Sequence, residues 1–132
     1  RKQYDEWSQH WTNEGKDDQY ASFINEVEKV VISDSLDDAT WNNARIVRRA
    51  DAADEIRSLR SERSGTIGTW GSLTVVRWMA QNDLIDRLHL IVAPTVVGEG
   101  ERLFPELASK DLHPVETLAL SKGVQSLVFD VR

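Results

Sequence analysis

The stretch from Gly65 to Phe104 restricts the fold more than any other part of the chain. Thr66 to Trp70 reads as a strand, Gly71-Ser72 as a turn, and Ser72 to Asn82 as a helix with Leu73, Val76, Trp78, Met79 and Ala80 apolar. Arg87 to Val97 reads as a long apolar strand covered on both faces, with Pro94 marking a bulge or an edge. Gly98-Glu99-Gly100 is a second glycine turn. A helix that begins on a Gly-Ser turn directly after a strand aims open backbone N–H groups beyond the sheet, where a phosphate can bind. Gly71 permits the sharp turn and a close backbone approach. Ser72 can cap the helix or bond a phosphate, and Thr74 adds a second hydroxyl. The same residues also serve as ordinary punctuation between strand and helix, and the residues alone leave both roles open.

The flanking segments extend the alternation. Tyr4, Trp7 and Trp11 share one face of an N-terminal helix. Residues 12–18 read as a loop, and Asp17 or Asp18 can cap a short helix through Val27 with Phe23, Ile24 and Val27 inside. Val30-Val31-Ile32 and Arg45-Ile46-Val47 read as short strands around a loop containing Trp41. Asp51 to Arg63 reads as a surface helix and Phe104 to Lys110 as a short helical turn. Val115 to Leu120 and Val124 to Val131, joined by Ser121-Lys122-Gly123, form a C-terminal β-hairpin. Strands alternating with helices argue for an α/β sheet with helices on both faces, made mixed by the hairpin.

Composition narrows the function. The 132 residues make one domain by length. A net charge of −6 argues against nucleic-acid binding, which calls for a basic face. No apolar run approaches the roughly 20 residues that span a bilayer, so no membrane partner is expected. The absence of cysteine rules out disulfides and thiolate metal sites and fits a reducing cytoplasm. His10, His89 and His113 lack metal-ligand spacing, so no metal is expected.

Gly71-Ser72-Leu73-Thr74 and the run from Leu84 through Pro94 and Gly98 to Phe104 resemble the dihydrofolate reductase-like family. Within it, the chain is similar to proteins related to the C-terminal reductase domain of the riboflavin-pathway bifunctional deaminase–reductase. Arg1-Lys2-Gln3-Tyr4-Asp5 resembles the tail of that family's Gly-Arg-x-Thr-Tyr-Glu segment, at the start of a nucleotide-contacting helix. Lys29 to Ser33 resembles its strand ending in Ser near the cofactor's adenosine, and the terminal hairpin also fits. The resemblance implies a three-layer α/β/α domain over residues 1–132, with a mixed, mainly parallel sheet and a C-terminal antiparallel β-hairpin. The family's N-terminal strand and following loop, which supply much of the substrate pocket, are expected to be missing.

The implied activity is hydride transfer from a nicotinamide dinucleotide to a C=N or masked C=O of a pteridine- or pyrimidine-like small molecule. It is similar to dihydrofolate reductase or to 5-amino-6-(5-phosphoribosylamino)uracil reductase. The implied cofactor is NADPH, and the implied cofactor-binding residues are Arg1, Ser33, Trp70, Gly71, Ser72, Leu73 and Thr74. No catalytic acid stands out. A homodimer is expected, because strand Leu88 to Val97 and the hairpin offer surface that a monomer of this size leaves open.

Four positions depart from the family pattern. Gln3 stands where a phosphate-binding Thr is expected. Asp34 follows Ser33 where NADPH-using relatives often carry Arg, and a carboxylate there makes NADH an alternative. Trp70 replaces an acidic residue facing substrate; it can stack on a flat ring or simply end a strand in the core. Ser72 replaces the second glycine of a Gly-Gly pair. These departures sustain a second expectation: a cofactor-free binding or scaffold module that keeps the fold.

Overall fold

A computed structural model describes residues 1–132 except 16, 17, 71 and 106. It divides into two compact units, Arg1–Ile67 and Gly68–Arg132, taken here one at a time.

The first unit opens with α1 (Lys2–Gln9), which widens into a π-helical turn over His10–Glu14 and so continues past residue 11 into residues 12–14, where a loop was expected. The side chains explain the extension. Thr12 Oγ1 donates to the Ser8 carbonyl at 2.6 Å and Asn13 Nδ2 to the Gln9 carbonyl at 2.9 Å. These polar groups satisfy carbonyls that the wider turn would leave open. The turn closes with Gly15 N–H donating to the His10 carbonyl at 2.7 Å.

Asp17 lies outside the described residues, but Asp18 Oδ1 accepts the Tyr20 N–H at 2.8 Å just ahead of α2 (Ala21–Glu26). Ala21 is the buried residue of α2, and Phe23, expected inside, is 55% exposed. Strands β1 (Lys29–Ile32) and β2 (Ala44–Val47) pair in parallel, Lys29 opposite Ala44 and Ile32 opposite Val47. Helix α3 (Ala52–Glu62) follows. Val31, Val47, Ala52 and Ile56 join Leu36 and Trp41 in the core of this unit. Full burial of side chains such as Ile56 is worth about 1.5–3 kcal/mol each.

The second unit contains α4 (Leu73–Gln81) and a three-stranded antiparallel sheet of order β3-β5-β4. Its strands are β3 (Arg87–Val92), β4 (Leu112–Ala119) and β5 (Gln125–Val131). β4 and β5 are the expected hairpin. They turn through Ser121–Gly123, where Lys122 (φ 58°) and Gly123 (φ 79°) take left-handed conformations. Met79, Ala80 and Leu84 carry its core.

Three expectations for this half are corrected. Residues 66–70 form no strand, consistent with Gly65 and Gly68 weakening an extended segment. β3 stops at Val92, because Pro94 has no N–H for a ladder. The residues beyond are not covered: Val96 is 97% exposed and Val97 is 78% exposed. The described residues of 104–110 form no helix. Among the described residues, then, one strand pairing is parallel and two are antiparallel. No helix among them is long and apolar enough to cross a membrane.

Candidate functional site

The expected site residues fall in both units. Arg1 and Ser33 belong to the first, and Trp70, Ser72, Leu73 and Thr74 to the second. Gly71 lies outside the described residues.

In the first unit, parallel pairing places the residues after β1 beside those after β2. Ser33 N–H donates to the Val47 carbonyl at 3.1 Å and continues the ladder by one rung. Ser33 is buried, and its Oγ accepts the N–H groups of Ser35 (3.3 Å) and Leu36 (3.1 Å). Its hydroxyl therefore shapes the loop rather than standing open. Arg48 draws the loop onto the strand end, with Nη1 donating to the carbonyls of Ser33 (3.0 Å) and Leu36 (2.9 Å). Asp34 Oδ1 accepts the Arg49 N–H at 2.8 Å, and its Oδ2 lies 3.6 Å from Arg49 Nε. Arg1 joins this end of the unit only loosely. Its Nη1 lies 3.4 Å from the Ser35 carbonyl, while its Nε donates to Asp5 Oδ2 at 2.7 Å. The structure thus gathers Arg1, Ser33 and Asp34 at the carboxyl ends of β1 and β2. It adds Arg48 and Arg49, which the sequence reading did not single out. The available signal was their position: two arginines directly after a short apolar strand.

In the second unit, Ser72 heads α4 in the left-handed region (φ 44°, ψ 74°), uncommon for a residue other than glycine. Its side chain makes no capping bond. Instead its carbonyl accepts the N–H groups of Val75 (2.8 Å) and Val76 (3.1 Å). Helix geometry gives the N–H groups of Leu73 and Thr74 no partner within α4. Both residues are exposed, and Trp70 is 54% exposed just ahead of the turn. Of the two roles expected of Ser72, the helix cap is not made. Open N–H groups at the positive end of a helix fit an anionic oxygen ligand. Trp70 offers an aromatic face rather than the buried end of a strand.

His89 does not gain a catalytic setting. Its Nε2 lies 2.7 Å from Oγ of buried Ser126 on the neighbouring strand, a cross-strand contact. No group of three or more His, Asp or Glu converges among the described residues. An apolar cavity of about 250 Å³ lies between α4 and the sheet, lined by Ile85, Leu88, Phe104, Leu107, Leu112 and Val131. The Lys110–Asp83 ion pair stands at its margin and holds the Asp83 carboxyl below its usual range.

Comparison with known proteins bears on this arrangement. Residues 4–126 match the RibD C-terminal domain. The chain is 26% identical over 133 residues to YyaP of Bacillus subtilis strain 168, an uncharacterised protein, covering 98% of this chain and 70% of YyaP. It also resembles a solved protein of Shewanella sp. PV-4 named for riboflavin biosynthesis, with a TM-score of 0.67 and 18% identity over 80% of this chain. A pyrimidine reductase-like protein of Corynebacterium diphtheriae gives a TM-score of 0.56 and 18% identity over 69% of this chain. The chain spans 60% and 40% of the lengths of those two structures. The likeness establishes the dihydrofolate reductase-like α/β fold expected from the sequence.

Proposed function

The chain belongs to the RibD C-terminal domain family, and on that premise we propose that it is a nicotinamide-dinucleotide-dependent reductase of a pteridine- or pyrimidine-like small molecule. The observation that carries this reading is the start of α4. There helix geometry gives the N–H groups of Leu73 and Thr74 no partner within α4, and both residues are exposed, a fit for a pyrophosphate. When bound, the cofactor supplies the hydride. The chain's own part is to hold and orient. Leu73 and Thr74 N–H groups bind phosphate oxygens, the Thr74 hydroxyl adds a donor, and the Trp70 ring presents a flat apolar face to a flat ligand. Within the first unit, Ser33 and Arg48 fix the loop at the ends of β1 and β2, the strand ends at which open α/β sheets take ligands.

A titration of the purified protein with NADPH and with NADH, followed by tryptophan fluorescence, tests the reading. Saturable binding of either supports it, and Trp70 gives the turn its own reporter. Binding of neither at millimolar concentration overturns it. That result would favour the cofactor-free module, for which the observation is that Arg1 is already engaged by Asp5.

The same reading includes a homodimer. Ile91 (60% exposed) and Leu118 (46%), both in register with Ser126, leave apolar strand surface on one face in water, which a second copy would cover. A monomer in sedimentation at micromolar concentration would remove this part of the proposal and leave the rest standing.

A further inference from the structure

The Asp34–Arg49 pair carries an inference that rests on the nicotinamide reading and makes it more specific. We infer that Asp34 selects a dinucleotide whose adenosine ribose keeps a free 2′-hydroxyl, so that this chain binds NADH in preference to NADPH.

Position is the first argument. Parallel register sets Ser33-Asp34 and Arg48-Arg49 side by side beyond the last paired residues, Ile32 and Val47. Dinucleotides lie across the carboxyl ends of parallel strands, and a carboxylate there accepts a ribose 2′-hydroxyl.

The second argument is preorganisation. One oxygen of Asp34 is fixed by the Arg49 main-chain N–H at 2.8 Å. The other lies 3.6 Å from Arg49 Nε, too far for a hydrogen bond, so its lone pairs remain available. The Asp34 side chain is 56% exposed, so a ribose can reach it. The carboxylate is aimed before any ligand arrives, which lowers the ordering cost of a bond from a 2′-hydroxyl.

Charge is the third argument. A 2′-phosphate needs a surplus of positive charge, and this strand end has none. The three arginines at this end are each matched by a carboxylate within 4 Å: Arg1 by Asp5 (2.7 Å), Arg48 by Asp37 (3.9 Å) and Arg49 by Asp34 (3.6 Å). Arg48 is also committed, donating to the carbonyls of Ser33 and Leu36 and lying 3.9 Å from Asp37. Arg49, with its side chain 72% exposed, is the remaining cation, and it stands beside Asp34. A 2′-phosphate would therefore have to compete with the fixed Asp34 carboxylate for Arg49, the most exposed of these guanidinium groups.

The test is the dissociation constant of NADH and of NADPH for the whole chain and for Asp34→Asn, measured by tryptophan fluorescence at one ionic strength. Asn keeps an oxygen for the Arg49 N–H and removes the charge, so the loop should hold; circular dichroism checks this. NADH is expected to bind at least about tenfold more tightly than NADPH, and Asp34→Asn is expected to close most of that gap by improving NADPH binding. Asp34→Arg should reverse the preference. Equal or tighter binding of NADPH to the unaltered protein overturns the inference while the reductase reading stands. A preference for NADH that Asp34→Asn and Asp34→Arg both leave intact overturns the role of Asp34. Binding of neither cofactor overturns the inference together with the reading it rests on.

Discussion

The ends of β1 and β2 and the sheet of β3, β4 and β5 are held by different means. At the first, a long loop is hooked down by buried side chains and by bonds from side chains to backbone. Leu36 and Trp41 are buried in it, Trp41 Nε1 donates to Asn25 Oδ1 at 2.7 Å, and Trp41 N–H donates to the Tyr4 hydroxyl at 3.1 Å. In the second, ladder bonds hold strands whose side chains are largely in water. All eight residues of β4 are exposed, and Ser126 is the buried residue of β5. A region built on hooks is ordered before its ligand comes. A region built on a ladder and an open helix start leaves polar groups for a ligand to complete.

Removing a hook should therefore have the largest effect on stability. Trp41 lies under the Lys29 ammonium, 4.7 Å from its ring centroid, and 6.3 Å from the Tyr4 ring. Trp41→Ala is expected to cost about 3–5 kcal/mol, read as a fall in the urea midpoint. A loss under about 1 kcal/mol would mean that the loop is not hooked as described. Arg48→Met comes next. It removes two charge-assisted bonds to carbonyls, but the side chain is 46% exposed, so the expected loss is about 1 kcal/mol. Its stronger signature is cofactor binding at the strand ends, which should weaken while the ladder strands keep their amide-exchange protection.

This contrast also explains what could be read from the sequence. α3, α4, β1, β2 and the β4–β5 hairpin follow from apolar spacing and from Ser121-Lys122-Gly123, because local periodicity and turn chemistry set them. The family resemblance carried the fold as a whole. Arg48 and Arg49 were missed: their position after a short apolar strand marks the strand end, but not the loop carbonyls 12 and 15 residues away that Arg48 bonds. The π-helical turn was missed because it depends on Thr12 and Asn13 bonding backward to carbonyls. The expected strand at 66–70 and the covered strand to Val97 failed for a common reason. β-rich composition does not form a strand without a ladder partner, and Gly65, Gly68 and Pro94 each weaken one. At the candidate site, the helix start after the Gly71 turn was expected to offer backbone N–H groups, with Ser72 either capping the helix or bonding a phosphate; the absence of a cap follows from a left-handed Ser72 conformation that no sequence rule assigns.

Ser72 sharpens the comparison from the other side. A left-handed non-glycine residue carries strain, so Ser72→Gly is expected to raise stability by up to about 1 kcal/mol after the added flexibility of the unfolded chain is deducted. Because the serine side chain makes no capping bond, the loss of its hydroxyl should leave dinucleotide affinity within about threefold. A large loss of affinity with unchanged stability would show that the hydroxyl, not the backbone, holds the ligand.

The smallest expected effect is a difference in how the two regions answer pH. Acid affects both alike. Arg63 and then Arg45 hold the Glu28 carboxyl below 4.5 in the first unit. In the second, Lys110 holds Asp83, and Arg87 holds Asp130, below 3.8. On unfolding these carboxyls return to ordinary values, so the unfolded chain takes up protons first. Their contribution is complete above about pH 5 and is lost as pH falls through the folded-state values. All three groups sit at the surface, so the slope should be shallow. Alkali separates the regions. Burial pushes the Lys29 ammonium below 10.5, although it donates to the Val27 carbonyl at 2.6 Å and the Asn25 carbonyl at 3.1 Å. Between its folded-state value and 10.5 the unfolded chain binds more protons, so Lys29 adds stability as pH rises through that window. The urea midpoint of the first region, followed by Trp41 fluorescence against Trp41→Phe, should therefore rise slightly as pH climbs towards 10.5. Lys29→Met should flatten that rise. A rise that persists in Lys29→Met would place its source elsewhere and remove the distinction between the regions at alkaline pH.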